Sequence, residues 1–168
     1  MNIHDDHLYH GAALIQIAEH PLFTAINSLR SGKKVYSVAY KINDEIALYL
    51  KYAAKPTQSH LEYVFQFKKS NLHDLDEIAT ANPKTFIALV CVQDREICCI
   101  SYQQLIELVK RRKKMSGKDE GQYTVLTTAR KGERLRLYMN DPGRKNRTLG
   151  SPIIVPRSNF PGVIFRKD

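Results

Sequence analysis

No stretch of the 168-residue chain approaches the roughly 20 consecutive apolar residues that a membrane-spanning helix needs, which excludes a helical span. Its first residues, MNIHDDHLYH, do not lead from a basic stretch into an apolar one. The form of a secretory signal is therefore missing, and a cytoplasmic protein is expected. Cysteine is scarce and odd in number: Cys91, Cys98 and Cys99 lie in the apolar runs LVCV and ICCI. That setting reads as reduced core residues, not as a disulfide framework or a C-x-x-C metal site. Also missing are a Walker loop, Gly-x-Ser-x-Gly, His-Glu-x-x-His, a dinucleotide fingerprint and any internal repeat.

What the chain does have is an uneven charge. Residues 105–168 hold 16 Lys and Arg against 6 Asp and Glu, net +10, whereas residues 1–104 hold 10 against 11, net −1. Asymmetry of that size points to an anionic partner, of which nucleic acid is the commonest. With 43% hydrophobic and 26% charged residues the composition is that of an ordinary globular protein. A chain of this length fits one domain that buries about 70% of its unfolded surface. We expect one domain over 1–168, with a core at about 11–110 and a basic hairpin and tail at about 118–168.

Periodicity supplies the elements. GAALIQIAEH has helical spacing, and Pro21 suits the first turn of a second helical piece, PLFTAINSLRSG, closed by Gly32. KVYSVAYKI and EIALYLKYA alternate as a hairpin. Opposite residues of a hairpin share a face, so a three-residue loop, 43–45, should pair Ile42 with Ile46 and Tyr40 with Leu48. In LEYVFQFKK, Tyr63, Phe65 and Phe67 form a buried face, with Glu62, Val64, Gln66 and Lys68 on the other. A short amphipathic helix follows, with Asn71 as N-cap, Leu72, Leu75, Ile78 and Ala79 as its packing stripe and Asn82-Pro83 as its stop. TFIALVCV is apolar throughout, the pattern of a central strand, and EICCIS returns beside it. YQQLIELVKRRKK predicts a helix packing through Leu105, Ile106 and Val109. MSGKDEG reads as a flexible linker, and QYTVLTTAR with ERLRLYMN as a second hairpin around Lys131-Gly132. The tail should wrap the surface and dock through Ile153, Ile154, Val155, Val163, Ile164 and Phe165.

The order helix, three-strand meander, helix, central strand implies a right-handed crossover that sets the third and fourth strands parallel. That succession, over about residues 11–110, resembles the core of the restriction-endonuclease-like, or PD-(D/E)XK, superfamily. The resemblance implies an α/β fold: a mixed sheet flanked by helices, here with an added C-terminal β-hairpin and wrapping tail. It also implies an acid on the second strand and an acid-x-Lys on the third that hold Mg or Mn for nuclease chemistry. The third-strand match is Gln66-Phe67-Lys68, in which an amide replaces the carboxylate, a weaker ligand for a hard cation. Glu45, Glu62 and the helix residue Glu19 are the acids that could complete the set. The elements YLKY, FQF, LVC, ICCIS and FPGVIF are, besides, similar to those of small prokaryotic proteins.

Gln66 and Lys68 also suit a half-exposed strand that ends in solvent. HDDHLYH spaces His4, His7 and His10 three apart with Asp5 and Asp6 between, but without packing residues or a second cluster it reads as a mobile polar terminus. The basic run Lys110, Arg111, Arg112, Lys113 and Lys114 exceeds what a helix C-terminus requires and suits phosphate contact. Arg130, Lys131, Arg134 and Arg136, with Tyr123 and Tyr138, add guanidinium and aromatic groups suited to a nucleic-acid backbone or exposed bases. The expected function is a nucleic-acid-associated protein with an inactive nuclease-like core, from a prokaryotic defence or phage-related system. The alternatives are an active metal-dependent nuclease and a protein-interaction subunit or inhibitor. No cofactor is expected apart from Mg or Mn in the nuclease alternative.

Overall fold

The first turns of the chain form a helix, where the sequence suggests a polar terminus without regular structure. In a computed structural model that describes residues 1–144 and 146–167, α1 runs Asp5–Ala18 and takes in the polar HDDHLYH segment. Asp5 and Asp6 fall in its first turn, where carboxylates meet the positive end of the helix dipole. Its inner face buries His10, Ala13 and Ile17.

The second helical piece expected after Pro21 is absent, and Ile26–Ser31 is a strand, β1, antiparallel to β2 (Lys34–Ile42). Two features decide this. Gly32, the supposed helix stop, sits at φ 58° in the two-residue loop between Ser31 and its partner Lys34, a conformation glycine supplies without strain. Asn43 holds the preceding segment extended: its Oδ1 accepts from the Thr24 N–H (2.7 Å), the Thr24 hydroxyl (2.9 Å) and the Ala25 N–H (3.2 Å), while its Nδ2 donates to the Leu22 carbonyl (2.6 Å). A helix would have consumed those backbone groups internally.

β3 (Ile46–Ala53) pairs with β2 in the expected register, Ile42 opposite Ile46 and Tyr40 opposite Leu48. The next strand departs from expectation. β4 (Glu62–Lys68) buries Tyr63, Phe65 and Phe67 as its alternation requires, yet it does not join this sheet. After α2 (Lys69–Ala81), β5 (Lys84–Cys91) lies parallel to β3, with Ile46 opposite Lys84 and Ala53 opposite Cys91. The crossover therefore joins β3 to β5, and the three-strand meander is β1-β2-β3. Within α2 the N-cap is Lys68, and Asn71, three residues on, reaches back to accept the Lys68 N–H at 2.9 Å. Asn82 ends the helix as expected.

β6 (Glu96–Ser101) completes a five-stranded sheet in the order β1-β2-β3-β5-β6. α3 (Tyr102–Ser116) follows, capped by Ser101 and closed by Gly117 at φ 73°. It packs through Leu105, Leu108 and Val109, with Leu108 in the place expected for Ile106. The second hairpin is present as β7 (Gln122–Thr128) and β8 (Leu135–Tyr138), and Ile153–Val155 adds β9. With β4 they form a second sheet, β4-β7-β8-β9.

The first sheet separates two apolar clusters. On one face Ile42, Ile46, Leu48, Leu50 and Cys99 pack against Ala13 and Ile17 of α1 and against Phe160, Ile164 and Phe165 of the tail. On the other, Tyr49, Ile87, Leu89 and Ile100 meet α2, α3 and the inner side of the second sheet through Phe65, Phe67, Val125 and Leu137. Both sheets thus share one core. All three cysteines are buried and free, and burial raises each thiol well above its ordinary pKa, so they are inert packing residues. No helix among the described residues is long and apolar enough to cross a membrane.

Candidate nucleic-acid interface

Strand pairing scatters the residues expected to form a nuclease site. Glu62, Gln66 and Lys68 lie on the outer face of β4, away from the core. Glu19 is the C-cap of α1, which packs on the far face of the first sheet. Glu45 is exposed in the β2–β3 turn. Among the described residues no three His, Cys, Asp or Glu side chains gather at a spacing that could hold a metal ion. The donor set that Mg or Mn requires is thus not met by these residues, and no step through a metal is derived.

The basic residues are better gathered, although not all are available. Arg112 turns inward: its Nε meets both oxygens of Glu120 at 3.1 Å and its Nη1 donates to the Asn140 carbonyl at 2.6 Å. This arginine ties the end of α3 to the second sheet. Lys113 lies 3.7 Å from Asp119, and Arg111 reaches the Ser151 carbonyl at 3.5 Å. Lys110 and Lys114 are exposed and have no carboxylate within 4.0 Å among the described residues. MSGKDEG is accordingly no flexible linker: Met115 and Ser116 end α3, and the loop after Gly117 is anchored through Asp119 and Glu120. Asp119 accepts from the Tyr123 hydroxyl at 2.8 Å, and that bond, with Lys113 and Lys69 nearby, lowers its carboxyl pKa. Tyr123 faces the core and cannot present its ring to a base.

Alternate residues of the second sheet point outward and build a largely polar face, interrupted by Val64 opposite Leu126 and by Ile154 opposite Arg136. Across it Glu62 stands opposite Thr128, Gln66 opposite Thr124 and Lys68 opposite Gln122; then Leu126 opposite Tyr138 and Thr128 opposite Arg136. Tyr138 donates its hydroxyl to Glu62, and burial followed by that carboxylate raises its pKa. Arg130, Lys131, Arg134 and Arg136 are exposed around the β7–β8 turn. The turn itself is held by Arg157, which donates to the Arg130 carbonyl (2.5 Å), the Glu133 carbonyl (2.7 Å) and the Glu96 carboxylate (2.7 Å). The seven residues of β7 span about 20 Å, so Arg136, opposite Thr128, and the exposed Lys68, opposite Gln122, stand at opposite ends of the face. Two recesses of about 270 and 230 Å³ lie between them and share Asn140. Gln122, Thr124 and Asn140 escaped sequence reading. Only the start of QYTVLTT, where Gln122 and Thr124 alternate with Tyr123 and Val125, marks that face.

A third recess, of about 360 Å³ and polar, opens where α1, β2, β3 and α2 meet, lined among others by Asp6, His10, Tyr49, Lys51, Asn71 and Asp74. Lys51 is half-buried, with Nζ 4.9 Å from the Phe67 ring centroid; burial, and secondarily Lys68, lowers its pKa. His10 is pushed down by burial, with Asp6 opposing and Lys51 assisting, and its Nε2 is buried without a hydrogen-bond partner. Burial pushes the Tyr49 hydroxyl up to about 12. Asp74 is committed to Lys34, 2.6 Å away. The sequence alone does not mark this recess, because its lining comes from four elements that only the tertiary fold brings together.

No family model matches the chain, and no curated protein or solved structure matches it.

Proposed function

We propose that this protein binds nucleic acid on the outer face of its second sheet, with a restriction-endonuclease-like core that serves as scaffold, in a prokaryotic defence or phage-related setting. One observation carries the reading: cations at both ends of a largely polar, recessed sheet face, Arg130, Lys131, Arg134 and Arg136 at one and Lys68, paired opposite Gln122, at the other, about 20 Å apart along β7. A phosphate backbone laid across the face would meet both groups, and Thr124, Gln122 and Tyr138 lie between for sugar and base contacts. About four phosphate contacts to a single strand give a salt slope near −2.8, so affinity should fall about 50-fold between 50 and 200 mM salt. Fluorescence anisotropy with labelled oligonucleotides measures this directly. No binding at 50 mM salt overturns the proposal.

The nuclease alternative moves with the topology. Because β3 is the strand parallel to β5, the acid-x-Lys position of the resemblance falls on Tyr49-Leu50-Lys51, beside the recess that holds His10. Lys51 is the residue that could stabilise charge at an attacked phosphorus, but a tyrosine stands where the family's pattern has an acid. Cleavage in the presence of Mg²⁺ or Mn²⁺ that is lost in Lys51→Met and kept in Lys68→Ala would favour this reading. An inert wild-type protein would leave binding as the function.

A further inference from the structure

Each recess on the outer face sets a carboxylate beside a guanidinium: Glu62 with Arg130 and Arg136 in one, Glu120 with Arg112 in the other. Acids on the floor of a phosphate-binding surface are unfavourable, because carboxylate and phosphate repel. A base edge is different. The exocyclic amino group of cytosine, adenine or guanine donates to a carboxylate, while the arginines beside it remain free for the phosphates. Glu62 has capacity for such a donor, since Tyr138 occupies only its Oε2. At about 230 and 270 Å³ the recesses suit a base, which displaces roughly five waters at about 30 Å³ each, and have no room for a stacked pair. The floor is sunk between the end of α3 and Asn140, Asn146, Thr148 and Pro152, and among the described residues no element projects from it to enter a major groove.

We infer that the outer face takes single-stranded nucleic acid with its bases turned toward the sheet, and that it favours amino-bearing bases over thymine or uracil. The inference rests on the nucleic-acid reading above and specifies its ligand: arginines at the turn hold phosphates, while Glu62 selects the base in the recess beside them. Thymine and uracil lack an exocyclic amine and offer Glu62 only the ring N3–H, flanked on both sides by carbonyl oxygens that repel the carboxylate, so they pair with it less favourably.

The test is anisotropy at 50 mM salt with 12-mers of dC, dA and dT and a mixed-sequence 12-base-pair duplex. We expect dC and dA to bind at least about fivefold tighter than dT, and the duplex to bind more weakly than either. Glu62→Gln keeps an acceptor for the Tyr138 hydroxyl and adds an amide donor that can meet thymine O4, so it should narrow the gap by raising affinity for dT. Arg136→Ala should weaken all three homopolymers alike. Equal affinity for dT, a duplex that binds as tightly as the single strands, or a gap that Glu62→Gln leaves unchanged would overturn the inference while the nucleic-acid reading stands. Failure of every probe to bind would overturn that reading itself.

Discussion

Arg157→Met should destabilise the protein by about 2–4 kcal/mol, because one guanidinium joins three parts of the chain. Its Nη1 meets Glu96 of β6 at 2.7 Å, and its Nε and Nη2 donate to the carbonyls of Glu133 and Arg130 at 2.7 and 2.5 Å. The arginine and Glu96 side chains are 32% and 23% exposed, so the pair is only partly screened. Charge-assisted bonds of this kind contribute about 1.5–3 kcal/mol each when buried, and we discount their sum for that exposure. Methionine retains the apolar stem, which confines the change to the lost bonds and to a Glu96 carboxylate left without its partner. With a urea dependence near 2 kcal/mol/M, the unfolding midpoint should fall by about 1–2 M. In a Glu96→Gln background the same substitution should cost less, the difference being the pair's coupling energy. A midpoint shift under about 0.3 M, or identical costs in both backgrounds, would refute the idea that Arg157 anchors the basic turn to the first sheet.

Asn43→Ala should cost about 3 kcal/mol and Asn43→Gly about 2, read by urea unfolding. Both lose the side-chain bonds to residues 22–25, but only alanine is strained at φ 54°. Equal costs would show that the left-handed backbone does not matter there. For His10, burial lowers the folded-state pKa below the ordinary 6.5, so the unfolded chain binds the proton more readily. Its contribution is complete above about pH 6.5 and is lost as pH falls through that value toward the folded pKa. Thermal unfolding from pH 7.5 down to 5 should show this loss, and His10→Gln should flatten it; a wild type insensitive over that window would contradict the assignment.

The parts of the fold that sequence displays are those where local geometry decides. The register of β2 and β3 follows from a three-residue loop and two alternating faces, and Ile42 stands opposite Ile46 as those rules require. The alternation of β4 names its buried face but not its partner. Tyr63, Phe65 and Phe67 would cover α2 from either sheet, and it was pairing with β7, more than 50 residues away, that settled the matter. β1 is a polar edge strand whose flanking Pro21 and Gly32 punctuate helices and hairpins alike, and its deciding bonds come from Asn43. In the candidate interface, charge composition located the basic third of the chain. It could not separate Arg112, consumed by Glu120, from Arg136, which is exposed, because the distinction depends on a loop that looked unstructured.

The most direct test of the account is the salt slope of single-strand binding in Arg130/Arg134/Arg136→Ala against a control of equal charge change, Arg30/Lys33/Lys55→Ala, also exposed but outside the outer face of the second sheet. Three lost phosphate contacts should reduce the slope by about 2 in the first variant and leave it unchanged in the second. Equal slopes in the two variants would place the nucleic acid elsewhere, or nowhere, on this protein.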